Sequence, residues 1–145
     1  MTDILSFRGK HRWLSNFHPC NVSLDGVSYP SSEHAYQAAK TEDKVLRERI
    51  RTGTAAESKK LAKSFSLPES WNEKKLVVME ELLNQKFSNS NLELQALLKE
   101  TSGEIVEGNY WHDNFFGVCV CEKCNNQGMN HLGKLLMKIR SSIQS

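Results

Sequence analysis

The chain has 145 residues, 39% hydrophobic and 25% charged, ordinary values for one globular domain. Nineteen basic against seventeen acidic side chains leave a formal charge of +2, far below the excess with which dedicated duplex binders neutralise phosphates, which argues against a purely electrostatic nucleic-acid binder. No window approaches the run of about 18 apolar residues that a membrane span needs, and the opening Met1-Thr2-Asp3-Ile4-Leu5 lacks the basic and long apolar regions of a signal peptide, so the expectation is one domain over 1–145, cytoplasmic, with no membrane partner.

In chain order, Ile4-Leu5-Ser6-Phe7 reads as a short extended piece. Residues 21–24 and 27–29 flank Asp25-Gly26, a dipeptide that accepts positive φ, and this predicts a β-hairpin. From Ser31-Ser32 to Lys40 the pattern is helical. Three later helices are predicted from a hydroxyl residue followed three positions on by glutamate: Thr54 with Glu57, Ser70 with Glu73, and Ser90 with Glu93. After Ser70, the spacing of Trp71, Val78, Leu82 and Leu83 lets them share a buried face, with Met79 and Phe87 beside them. Residues 129–140 repeat this with Leu132, Leu135, Leu136 and Ile139. Between these helices Glu104-Ile105-Val106-Glu107 reads as a short strand and residues 115–121 as another. The expected fold class is α+β, helix-rich, with a small β element.

Three constellations carry chemistry. On the first helix Glu33, Gln37 and Lys40 stand at i, i+4 and i+7 and form a polar stripe opposite Ala35, Ala38 and Ala39. Glu33 in the first turn faces unpaired backbone N–H groups, which are expected to lower its pKa; it either activates water, stabilises developing positive charge, or simply complements the helix dipole. The second is Glu107-Gly108-Asn109-Tyr110-Trp111-His112-Asp113-Asn114, whose carboxylates, amides and aromatic faces suit a sugar and a planar base; a polar loop with anchored aromatics is the other reading. The third is Cys119-Val120-Cys121-Glu122-Lys123-Cys124, a Cys-x-x-Cys pair with a third thiol two residues earlier. Buried or free thiols are the commoner state of such a stretch; a structural zinc with His131, His112 or Cys20 as fourth ligand is the next reading, and redox use the last. The patterns of zinc proteases and zinc deaminases are absent.

Phe7, then Leu14-Ser15-Asn16-Phe17, then Tyr29-Pro30-Ser31-Ser32-Glu33-His34-Ala35-Tyr36-Gln37-Ala38-Ala39-Lys40 strongly resemble the opening of the NADAR superfamily. The resemblance continues in order through Trp71, Met79, Lys86-Phe87, Leu98 to Thr101, Ile105-Val106-Glu107 and Asp113, and ends on Gly128-Met129-Asn130-His131-Leu132-Gly133-Lys134-Leu135-Leu136-Met137-Lys138-Ile139-Arg140. It implies a mainly helical α+β fold and hydrolysis of N-glycosidic bonds. Two substrate classes go with the family: ADP-ribose on a nucleobase, notably guanine, including modified nucleic acid, and phosphoribosyl intermediates of riboflavin synthesis. Catalytic weight falls by resemblance on Glu33, Trp71, Glu107 and Asp113, with Asn16, Phe17, Lys40 and Asn130 in support. Where the family commonly has Trp-Gly after the aspartate this chain has Phe116-Gly117, and the Cys119 to Cys124 stretch is not general to the family.

Together these readings predict an N-glycosidase of ADP-ribosylated guanine, whose water is activated by Glu33 or Asp113, without a catalytic cofactor. Neither a Walker loop nor a dinucleotide fingerprint is present, so phosphate is expected to meet dispersed Arg8, Lys40 and Lys134 and helix N-termini, and Phe17, Tyr36, Trp71, Tyr110 and Trp111 supply planar surface. The alternatives are a glycosidase of the riboflavin intermediates, a non-catalytic module binding NAD or ADP-ribose, and a zinc-braced nucleic-acid interaction protein.

Overall fold

A computed structural model describes residues 2–145 and divides them into two compact units, 16–92 and 2–15 with 93–145. In the first unit, β1 (Pro19–Leu24) and β2 (Val27–Ser31) pair antiparallel, Leu24 opposite Val27 and Val22 opposite Tyr29, with an irregularity between Pro19 and Val22. Asp25 and Gly26 both have positive φ, 49° and 79°, the turn that the dipeptide predicts. The outer edge of β1 is not left open. Gln85 accepts from Ser23 N–H and donates to its carbonyl, and Asn91 does the same with Asn21, so two side-chain amides take the place of a neighbouring strand.

Helix α1 (Ser32–Ala38) follows β2 directly. Ser31 is its N-cap: its hydroxyl oxygen accepts from the His34 N–H at 3.2 Å and lies 2.6 Å from His34 Nδ1, while His34 Nε2 lies 2.8 Å from the Gly53 carbonyl. Every residue of α1 is buried, because the hairpin, α2 (Lys44–Thr52), α3 (Ala55–Ala62) and α4 (Trp71–Lys86) all pack on it. Ala35 and Ala38 are small enough to allow that approach. Arg47 on α2 donates to the carbonyls of Ala38 and Thr41 and pairs with Asp25 at 2.7 Å, tying the end of α1 to the hairpin turn.

The predicted caps have mixed outcomes. Thr54 and Glu57 form the reciprocal box that opens α3. Ser70 precedes α4 but makes no side-chain cap bond, since its backbone is not extended. Ser90 is not a cap at all: it sits inside a 3-10 turn (Asn89–Asn91) opened by Ser88, and α5 (Leu92–Lys99) continues from that turn. Helix α2 has no such pattern in sequence; Asp43 caps it, accepting from the N–H groups of Val45 and Leu46. Along α4, Trp71, Met79, Leu82 and Leu83 are buried and Lys86 joins them, whereas Val78, expected on the same face, is only half-buried.

In the other unit the three extended readings shrink. Ile4 makes a single parallel bridge with Ile105, and the strands are two residues each, β3 (Gly108–Asn109) parallel to β4 (Val118–Cys119). Helix α6 (His131–Gln144) buries Leu132, Leu135, Leu136 and Ile139, as its spacing predicts. Arg140 donates to Thr101 and the Gly103 carbonyl, and Gln144 to the Lys99 carbonyl, fastening α6 to the end of α5. The core of this unit is Ile4, Phe7, Leu14, Leu94, Leu98, Ile105, Cys119 and the apolar face of α6. The architecture is helix-rich α+β. No helix is long and apolar enough to cross a membrane, among the described residues.

Candidate active site

The residues singled out from sequence fall in both units. In the first, Glu33 is 7% exposed and its carboxylate accepts from Gln37 Nε2 through Oε2. The other end of that amide, Gln37 Oε1, is buried with no hydrogen-bond partner. Burial pushes the Glu33 carboxyl above the ordinary glutamate range, while Gln37 and then Lys59, Lys40 and His34 pull the other way. This reverses the expectation from the helix dipole. Two of the first-turn N–H groups are already used: Glu33 N–H donates to the Asn16 carbonyl at 3.0 Å and His34 N–H to Ser31, so desolvation prevails.

Asn16 is held as well, its Oδ1 accepting from the Ser32 hydroxyl at 2.9 Å and its Nδ2 lying 3.6 Å from the Met79 sulfur. Lys40 lies just beyond α1, its Nζ 5.2 Å from the centre of the Tyr36 ring. Burial holds its ammonium below the usual lysine range, Glu33 raises it, and Lys59 and Lys75 lower it further. Tyr36 in turn meets Trp71, ring centres 5.4 Å apart at 55°. Trp71 is 5% exposed, so most of its face is spent on packing. Phe17 is at the surface of this unit. Lys59 and Lys75 had no signal in sequence, because they come from α3 and α4 and only packing brings their charges to bear on Lys40. For Gln37 the i, i+4 spacing from Glu33 was the signal.

In the second unit, Asn109 organises the carboxylates. It is fully buried; its Nδ2 donates to Glu107 Oε2 and to the Asp113 carbonyl, both at 2.9 Å, and its Oδ1 accepts from Asp113 N–H at 3.1 Å. Asp113 Oδ1 accepts from the N–H groups of Phe115 and Phe116 at 3.2 and 2.9 Å, a local turn that leaves Oδ2 as its unengaged acceptor in this pattern. Asn130, at φ +53°, is a bracket: its Oδ1 accepts from Glu107 N–H and its Nδ2 donates to the Ile105 carbonyl. Arg8 lies over the Tyr110 ring at 4.3 Å. Lys134 is exposed on α6, and the first N–H groups of that helix do not present an open anion site, since His131 and Leu132 donate to the carbonyls of Phe115 and Phe116. Phe116 packs edge-on against Phe115, ring centres 4.8 Å apart.

The cysteine motif is the third feature. Cys119, Cys121 and Cys124 gather with His112, their ligand atoms all within 4.8 Å of one another, a set compatible with a metal ion. Of the other candidate ligands, His131 packs its ring on Phe115 and Cys20 lies on β1 in the first unit.

The NADAR domain profile matches residues 6–144. The chain is 34% identical over 138 residues to N-glycosidase YbiA of Escherichia coli, covering 90% of this chain and 80% of that protein. It is 31% identical over 137 residues to a riboflavin biosynthesis protein of Vibrio vulnificus, covering 92% of this chain and 36% of that one, so it spans about a third of the Vibrio protein's length. The NMR structure of E. coli YbiA matches with a TM-score of 0.80 and 31% identity, over 98% of this chain and 83% of that chain. The fold and these relatives place the chain in the class of hydrolases acting on N-glycosyl bonds. It belongs to the NADAR family.

Proposed function

We propose that this chain hydrolyses the N-glycosidic bond of an ADP-ribosylated guanine, as a nucleotide or within nucleic acid, and that Glu33 activates the water. The observation that carries the reading is a buried carboxylate whose proton affinity is raised by its surroundings, beside an amide with an unpartnered buried oxygen. A carboxylate made more basic by desolvation is a better proton acceptor near neutral pH. Water adds to the anomeric carbon of the ribose and its proton passes to Glu33. The bond from carbon to the base nitrogen breaks, its electron pair leaves with guanine, and the guanine nitrogen is protonated. ADP-ribose and intact guanine result, with no redox change and no cofactor. A ribose hydroxyl donating to Gln37 Oε1 would complete that amide.

Lys40, Lys59 and Lys75 favour a diphosphate over a single phosphate, because three ammonium groups acting on one region exceed what one phosphoryl group needs. Tyr36 and Trp71 are mostly buried, at 7% and 5% exposed, and offer little of the planar surface expected from sequence. Glu107→Gln and Asp113→Asn test separately the roles that the family resemblance gives those residues, ribose binding or protonation of the leaving base. Product analysis on ADP-ribosylated guanine should show free ADP-ribose and guanine. A second reading, cleavage of phosphoribosyl riboflavin intermediates, is favoured by the name of the Vibrio relative. Release of the sugar from that intermediate alone selects it, and binding of ADP-ribose with turnover of neither substrate selects a recognition module.

A further inference from the structure

We propose that His112, Cys119, Cys121 and Cys124 bind one zinc ion, and that this ion is the clip holding the turn that presents Asp113. His112 Nδ1 lies 3.2 Å from Cys124 Sγ, 3.6 Å from Cys119 Sγ and 3.5 Å from Cys121 Sγ. An imidazole nitrogen has one proton or one lone pair and cannot make three hydrogen bonds to three sulfurs. It can share an ion with them: a tetrahedral site with zinc–sulfur near 2.3 Å and zinc–nitrogen near 2.0 Å separates nitrogen from each sulfur by about 3.5 Å. Three thiolates and one imidazole are a soft donor set suited to zinc, and four protein ligands leave no open position for substrate, so the role is structural.

The backbone is arranged for ligation. Cys124 N–H donates to Cys121 Sγ at 3.3 Å and the Asn114 amide approaches Cys124 Sγ at 3.8 Å, contacts that stabilise thiolates. Asn125 N–H donates to the Cys121 carbonyl, and Asn125 and Asn126 both take positive φ, which turns the chain back so that Gln127 bridges Cys119. His112 is itself left-handed, at φ +66°, a conformation that non-glycine residues rarely hold without compensation and that here carries the ring to the sulfurs.

Cys119 stands on β4 opposite Asn109 on β3, and His112 lies between Asn109 and Asp113 in sequence. An ion joining His112 to Cys119 therefore closes a loop around Asn109, which donates to Glu107 Oε2 and receives Asp113 N–H. The link to catalysis rests on the reading of Asp113 and Glu107 as site residues; the metal site does not.

The test uses the untagged full-length chain purified without chelator. Elemental analysis should give about one zinc per chain, and cobalt exchange should give the visible bands of a tetrahedral thiolate site. His112→Ala and Cys121→Ser should lower metal content, whereas His131→Ala and Cys20→Ser keep it. His112→Cys should restore binding with stronger sulfur-to-cobalt charge transfer, which holds the assignment open to test if Cys121→Ser fails to fold. Chelation should increase hydrogen exchange over residues 109–126 and leave α1 to α4 protected. Three freely titrating thiols in the folded chain without stoichiometric metal overturn the site, and so does full retention of zinc by His112→Ala. Unchanged exchange at 109–117, or undiminished turnover after metal loss, overturns the clip. A zinc-loaded protein that cleaves neither substrate class overturns the glycosidase reading and leaves the metal site standing.

Discussion

Replacing Gly117 by alanine puts a methyl carbon into space already filled by three polar atoms. The added Cβ would lie 1.8 Å from Glu107 Oε2, 2.2 Å from the Glu107 carbonyl oxygen and 2.7 Å from Asn109 Nδ2. The carboxylate can swing aside only by giving up its bond from Asn109, a charge-assisted contact of about 1.5–3 kcal/mol. The carbonyl cannot swing, because it belongs to the backbone and accepts from Val118 N–H at 2.9 Å; parting β3 from β4 adds overpacking strain of about 1–3 kcal/mol. The expected loss is about 3–5 kcal/mol, or roughly 10 °C in Tm for a chain of this size. Urea unfolding followed by circular dichroism measures it, with Gly26→Ala as the control, since nothing lies within 4 Å of that Cβ and the only penalty is φ +79°, about 1 kcal/mol. If Gly117→Ala unfolds within about 0.5 kcal/mol of wild type, the packing of Glu107 and Asn109 around Gly117 is wrong.

Glu33→Gln should stay folded and lose at least ~10²-fold in turnover, because the amide keeps the shape but cannot take a proton; near-normal rates in steady-state assays would remove Glu33 from the reaction. Because burial raises the Glu33 carboxyl, kcat/KM should fall with acid through a value above the ordinary 4.5, and a limb at or below 4.5 would contradict a desolvated base. Lys86, fully buried, has its ammonium pushed down by burial to about 8 from the ordinary 10.5. Between those values the unfolded chain binds the extra proton, so wild type should gain stability over Lys86→Met by at most about 1.4 kcal/mol per pH unit as pH rises, with no difference in slope below about 8; parallel denaturation curves across that range would refute it. Thr54→Ala should cost about 1 kcal/mol by removing the cap that opens α3, and a neutral result by thermal melting would mean the box carries no stability.

Local chemistry was legible wherever it acts over a few residues. The Asp25-Gly26 hairpin, the Thr54 box and the apolar spacing of α4 and α6 follow from turn and helix geometry, which neighbouring residues impose by themselves. The same reasoning failed at Ser70 and Ser90, where a matching pair of residues met a backbone unsuited to capping or a preceding 3-10 turn. The short strands were over-read for a related reason: residues 104–107 and 115–121 are apolar enough for sheet, but their partners are two-residue pieces and single bridges.

The sequence by itself determined the helix-rich α+β class, the family and the three thiols, since composition, periodicity and ordered motifs survive without coordinates. It also marked Glu33 and Asp113, but misjudged the environment of Glu33. Whether a first-turn carboxylate is stabilised or penalised depends on whether nearby N–H groups are spent and water is excluded, and both were decided by Asn16, Ser31 and the elements packed on α1. Tertiary structure alone gathered His112, rather than His131 or Cys20, with the three thiols, made Asn109 the link between Glu107 and Asp113, and brought the charges of Lys59 and Lys75 to Lys40. The physical reason is common to all three: contacts between segments far apart in sequence, or turned by left-handed residues, are fixed by packing and leave no periodic trace along the chain.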